Sequence, residues 1–278
     1  MAHYYWPDGR PQHTIIGKNG KERDTTITDA KEMGLLASFS GVEKAIMVEE
    51  GLRRWKEDEI IKFAAENPWD GEQPLEEWIE FIREGGNKKS REAMDFGSMI
   101  HKEIEAFHLN RDHPVLLECK AWIDHYKAWF YENIEEVYYA ELTLGCSRVG
   151  LGGTIDAIGK HKVYGDMIWD FKTQGIPTPK PRKDGTIPEK KPKVYASWIR
   201  QLAIYDEMYR DSEHCHLEDR SKPMRLMSII INRDEPEPVY EHLWTDEDQV
   251  WGLRQARANI HAFYTDRKFY PEGYEYAL

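Results

Sequence analysis

Two runs in the middle of the chain constrain its fold more than anything else in it: Gly153-Thr154-Ile155-Asp156-Ala157-Ile158 and Met167-Ile168-Trp169-Asp170-Phe171-Lys172-Thr173. Their β-branched and aromatic content is that of strands. A hairpin centred near Val163 sets Ile158 opposite Ile168, Asp156 opposite Asp170 and Thr154 opposite Lys172. Strand alternation then puts Ile168, Asp170 and Lys172 on one face. Met167, Trp169 and Phe171 share the other, which reads as the core side.

Directly opposed side chains stand about 5 Å apart at Cβ, so two carboxylates in that register repel. A divalent cation between them reverses the sign, and hard oxygen ligands suit Mg²⁺ or Mn²⁺. Lys172, one pleat further on, is placed to orient water or to stabilise charge on a phosphate. A cation, a poised water and a nearby ammonium are the requirements of phosphodiester hydrolysis.

Other segments fall in order around this centre. Phe96-Gly97-Ser98-Met99-Ile100-His101 lies upstream on an expected helix, where Gly97, His101, Glu105 and His108 form one stripe. Glu141 sits in a strand before Asp156, and Gln201 and Tyr205 share a helical face downstream. Together these runs resemble the PD-(D/E)XK nuclease superfamily. Within it they are most similar to the branch with the RecB nuclease domain, CRISPR-associated exonucleases, the mitochondrial genome-maintenance exonuclease and phage recombination exonucleases. The resemblance spans roughly residues 96–205.

It implies a restriction-endonuclease-like core and metal-dependent hydrolysis of DNA, by an exonuclease of recombination, repair or phage DNA processing. Asp156, Asp170 and Lys172 would be catalytic. His101, Asp156, Asp170 and the Phe171 backbone carbonyl would hold the metal, with Glu141 as a further ligand. Gln201, Tyr205 and Glu105 would support the site. The implied setting is the cytoplasm of a bacterial or phage-infected cell. DNA, single- or double-stranded, is the implied partner, with a recombination or single-strand annealing protein beside it. Two alternatives stay open: a site-specific endonuclease on the same core, and a DNA-binding or assembly subunit with a degenerate nuclease fold.

The rest of the chain reads as one α/β domain over residues 1–278, a central mixed β-sheet flanked by helices with a helical N-terminal part. An Asn19-Gly20 hairpin signal and helical patterning near 42–66 and 74–84 make up the N-terminal part, to about residue 90, and helical patterning near 91–109 and 113–132 continues past it. The core follows over about 91–278. Strands are expected at 137–144, 153–160, 167–173, 224–231 and 238–244, a helix at 195–210, and a last helix capped by Thr245. Cys119, Cys146 and Cys215 lie far apart and form no CxxC pair, too few for an iron–sulfur cluster and wrongly spaced for a zinc ribbon. No apolar run approaches the ~18–20 residues of a membrane span.

The net charge of −12 argues against a protein that coats nucleic acid with its whole surface. A local groove is another matter. The loop at 175–193 holds Lys180, Arg182, Lys183, Lys190, Lys191 and Lys193 against Asp184 and Glu189, a surplus of four positive charges. It lies between Lys172 and the Gln201 helix, and is expected to contact a phosphate backbone, with a turn at Asp184-Gly185. Arg200 and Tyr195 are further candidates for DNA contact. Trp198 and Tyr205 have rings able to stack on bases, but most aromatics in so rich a chain are core, and Trp198 is assigned no site.

Overall fold

The computed structural model describes residues 3–47 and 50–275. In chain order its elements are β1 (Tyr4–Tyr5), β2 (Thr14–Ile16), β3 (Glu22–Asp24), α1 (Ile27–Met33), β4 (Leu36–Ser38), α2 (Phe39–Ile46), α3 (Glu50–Glu66), α4 (Leu75–Gly86), α5 (Lys88–Leu109), α6 (Lys120–Asn133), β5 (Ile134–Cys146), β6 (Leu151–His161), β7 (Gly165–Gln174), α7 (Ala196–Asp211), β8 (Arg225–Asn232), β9 (Tyr240–Leu243) and α8 (Asp246–Asp266). They form two compact units, Met1–Met47 with Glu103–Leu278, and Val48–Lys102. The sequence suggests a division near residue 90. The smaller unit instead ends inside α5, at Lys102, and residues 1–47 of the expected N-terminal part belong to the larger unit.

The larger unit is α/β. Its mixed sheet of seven strands runs β1-β4-β6-β7-β8-β9, with β5 also paired to β6. The Asn19-Gly20 hairpin forms as expected, but as a separate two-stranded sheet of β2 and β3. The final helix starts where its sequence says. The Thr245 hydroxyl accepts the Asp248 amide, and the Asp248 carboxylate accepts the Thr245 amide, which satisfies donors that the first turn leaves unpaired.

Both faces of the sheet are covered. Val42, Leu202, Ile260 and Phe263 from α2, α7 and α8 join Ile155, Ile158, Ile168 and Leu226 in one core cluster. On the opposite face, the Tyr126 ring meets Phe171 edge-on at 5.3 Å, and His108 meets Trp169 at 6.3 Å. Burying a ring such as Phe171 contributes about 1.5–3 kcal/mol. This corrects the expectation that only the Met167, Trp169 and Phe171 side of β7 is core. Because β7 pairs in parallel with β8 along Met167–Gln174, it is a central strand, and such strands are buried on both sides. The face carrying Asp170 and Lys172 therefore lies under α7.

The smaller unit holds α3, α4 and the first turns of α5. The rings of Phe63 and Phe81 meet at 5.4 Å. The Trp78 indole donates to the Asn67 carbonyl at 2.9 Å, and Glu59 accepts from both Lys62 and Lys89. Among the described residues no helix is long and apolar enough to cross a membrane.

Candidate active site

The expected hairpin exists, and its register opens the site. Ile158 does pair with Ile168, but the β6–β7 ladder ends at Ala157–Trp169. Asp156–Asp170 and Thr154–Lys172 are thus not backbone pairs, which corrects the expected continuation. Beyond Trp169, β7 continues with β8 alone. On this edge of β6, Leu151 and Gly152 pair with β4, and Gly153–Asp156 have no strand partner among the described residues. The strands fork here because Asp156 inserts its own side chain. Its Oδ2 accepts the Phe171 amide at 2.9 Å, replacing a ladder bond with a side-chain bond.

Asp170 and Lys172 project from the other branch of the fork. Asp170 is 4% exposed, and burial pushes its carboxyl pKa up while Lys172 opposes the rise and Asp156 adds to it. The Lys172 ammonium lies 2.7 Å from Asp170 Oδ2, yet neither carboxylate oxygen has an aligned hydrogen-bond donor. Burial works against the charge on Lys172, but Asp170 and Asp156 outweigh it and hold the ammonium above the usual lysine pKa. Lys172 Nζ also donates to Gln201 Oε1 at 3.1 Å. Gln201 thereby reaches the strand itself, as its place on α7 suggested.

Glu141 lies on β5 between the Ala140–Ala157 and Leu142–Ile155 pairs, across from Asp156. The two carboxylates offer oxygens within 4.8 Å of one another. No cation among the described residues pairs with Glu141. Burial first, then Asp156 and Glu105, push its pKa up to about 8. Its backbone is left-handed, φ 50, which a non-glycine residue adopts at a cost of about 1–3 kcal/mol. Backbone strain and crowded carboxylates thus coincide.

Glu105, on α5, is close enough to add to the shift at Glu141. His101 stands one helical turn earlier on the same helix. The last residue of that stripe, His108, is not a site residue. Its Nε2 shares a 2.7 Å hydrogen bond with the Tyr126 hydroxyl, and burial drives its pKa down to about 3.

Tyr205 is buried, which removes it as a DNA contact. Its hydroxyl packs against Gly153, where an added Cβ would come within 2.5 Å of it. Tyr5 of β1 is a neighbour that sequence reasoning missed. Burial raises its pKa, Glu141 adds to the rise, and a hydrogen bond to the Thr154 side chain opposes it. Gly152 makes room, since a Cβ there would fall 2.3 Å from that of Tyr5. A two-residue strand carries no periodicity that could have flagged it.

Of the basic loop, Lys190 is held by Glu235 at 2.8 Å and Glu237 at 2.9 Å. It anchors the loop to the β8–β9 connection rather than facing a ligand, and lies outside the expected phosphate set. Lys191 pairs with Glu189 at the surface. Lys180, Arg182, Lys183 and Lys193 make no ion pair among the described residues, and the expected turn forms at Gly185, φ 82. Arg200 is also corrected: it is buried against Glu43 at 2.6 Å.

The donor set fits a hard divalent cation. Asp156 and Glu141 offer oxygens within 4.8 Å of one another, burial and the Asp156 charge push Glu141 toward its neutral form, and Asp170, beside Lys172, has both oxygens without an aligned donor. No protein-family model matches the chain, and no curated protein matches it.

Proposed function

We propose that the chain is a Mg²⁺- or Mn²⁺-dependent deoxyribonuclease of the PD-(D/E)XK type on a restriction-endonuclease-like core, acting as an exonuclease in recombination, repair or phage DNA processing. One observation carries the reading. At the fork between β6 and β7, Lys172 touches both Asp170 and Gln201, while Asp156 is fixed by the Phe171 amide. Acid and ammonium are thus held in place before a substrate arrives, the preorganisation that charge stabilisation requires.

Asp156, Asp170 and Glu141 would hold the cation, with the Phe171 carbonyl and the imidazole of His101 completing its ligands. When bound, the cation supplies Lewis-acid stabilisation of the charge that grows on a phosphodiester under attack. Lys172 keeps its proton, orients the attacking water and donates to a phosphate oxygen. Gln201 restricts the ammonium to one position. Lys180, Arg182, Lys183 and Lys193 supply sequence-independent backbone attraction.

The test is cleavage of end-labelled linear DNA and of closed circles in Mg²⁺ or Mn²⁺. Progressive trimming of linear DNA with circles spared is the expected result. A single internal cut favours the endonuclease alternative, and no cleavage of either favours a binding subunit. Lys172→Ala should lower the rate by about 10²–10³-fold in protein that still melts cooperatively, beyond any loss that its lowered stability accounts for. Gln201→Ala should lower it less, because Asp170 still holds the ammonium.

A further inference from the structure

The loop that follows β7 leaves the strand at Gln174 and returns to it at Lys193. Gln174 Nε2 donates to the Lys193 carbonyl at 2.8 Å, and its Oε1 accepts the Lys193 amide at 3.3 Å. Eight residues further on, Gln201 is bonded to Lys172 of the same strand. These two tethers fix the segment from Lys193 to Gln201 beside the lysine end of β7. The segment carries Tyr195 and Trp198, whose ring centroids lie 5.2 Å apart with planes tilted by 58°.

The pair has little structural reason to stand there. Tyr195 holds the N-cap position of α7 without a side-chain cap bond, and is 41% exposed. Trp198 is half-buried, with its inner part against the core cluster. Among the described residues neither the Tyr195 hydroxyl nor the Trp198 indole N–H makes a hydrogen bond. A core pair would be buried, and a cap would be polar. Just before the pair stand Lys193 and the loop bearing Lys180, Arg182 and Lys183, none of them in an ion pair.

We infer that Tyr195 and Trp198 form a stacking platform for an unpaired base of single-stranded DNA, beside the Asp170–Lys172 centre. Every base has a π-face, so such a platform is indifferent to sequence, and the adjacent cations track the backbone. In a duplex the base faces are covered by their neighbours, so the platform selects single strands. This inference rests on the nuclease reading and adds the substrate class to it.

The test is fluorescence anisotropy with labelled oligo-dT and a labelled closed hairpin duplex, on the full chain in EDTA so that nothing is cut. Tyr195 is exposed, so Tyr195→Ala should fold as wild type. It should weaken oligo-dT binding by about tenfold, while Tyr195→Phe and Trp198→Phe, which keep the ring, bind normally. Hairpin binding should change less than about twofold. An abasic oligonucleotide should bind wild type as weakly as oligo-dT binds Tyr195→Ala. Unchanged oligo-dT binding by Tyr195→Ala, or an equal loss on the hairpin, overturns the platform. Cleavage in Mn²⁺ is scored separately. Absence of cleavage alongside Tyr195-dependent oligo-dT binding overturns the nuclease reading and supports the platform. Cleavage of single strands undisturbed by Tyr195→Ala overturns the platform alone.

Discussion

The Asp156 carboxylate accepts the Phe171 amide at 2.9 Å, with Asp156 one residue and Phe171 two residues beyond Ala157–Trp169, the last backbone pair of the β6–β7 ladder. The same side chain thus builds the fork and lines it. Asparagine retains the accepting oxygen but not the charge, and alanine retains neither. Asp156→Ala should cost about 1–3 kcal/mol in urea unfolding without metal, since it strands a buried donor. Asp156→Asn should stay within about 1 kcal/mol of wild type, yet cleave no better than the alanine variant. Equal destabilisation by both would show that the amide does not depend on this oxygen.

Glu141 combines a left-handed backbone with a carboxyl pushed up to about 8 by burial, Asp156 and Glu105. Both are costs to the metal-free fold. Glu141→Gln removes the carboxyl, and Glu141→Gly removes the backbone strain as well. Melting in EDTA at neutral pH should therefore rank glycine above glutamine above wild type, with the strain worth about 1–3 kcal/mol. Added Mn²⁺ should raise the melting temperature of wild type much more than that of either variant. A variant that melts lower than wild type in EDTA would mean the strained conformer is held by favourable contacts.

The fold was legible where the chain is long and periodic, and illegible where it is short. Strands β5 to β9, the α7 helix and the Thr245 cap all leave patterns of several residues, and Ile158 opposite Ile168 followed from the turn between their strands. The strand β4 has three residues in a helix-rich stretch, and its Ser38 also caps α2 by accepting the Gly41 amide, so its local signal is that of a helix start. The fork could not be read from alternation, because it arises when β7 exchanges one partner for another. For the same reason sequence could bring Asp156 and Asp170 together but could not show Phe171 as the tether, nor Tyr5 as a neighbour reached from the far end of the chain. Charge counting overstated the basic loop, because Glu235 and Glu237, which hold Lys190, lie more than forty residues away.

Asp206 sets the pH dependence of the fold away from the site. Burial raises its pKa to about 6, against the opposing pull of Arg210 and the Met224 amide. Below about pH 4 the group is protonated both folded and unfolded, and the stability is full. As pH rises from about 4 to about 6 the unfolded chain has released this proton while the folded chain keeps it, so stability falls. The loss amounts to about 3 kcal/mol and is complete above that range. Asp206→Asn should flatten this part of the profile in urea titrations between pH 4 and 7. A wild-type profile that rises over the same window would contradict the assignment.

The buried pair Arg200–Glu43 holds α7 in the position from which Gln201 reaches Lys172. Arg200 Nη2 lies 2.6 Å from Glu43 Oε2, and the Asn259 side chain donates to Glu43 Oε1 at 2.6 Å. The pair therefore joins α2, α7 and α8. Removing one member leaves the other as an uncompensated interior charge, which costs more than removing both. Glu43→Gln should destabilise by about 3–5 kcal/mol, and Glu43→Met with Arg200→Met should recover most of that loss. Cleavage should follow stability in this series, because neither side chain touches the fork and each acts only by placing α7. A double variant that refolds fully yet stays inactive would instead assign Arg200 a direct part in the chemistry, against its burial at 5% exposure.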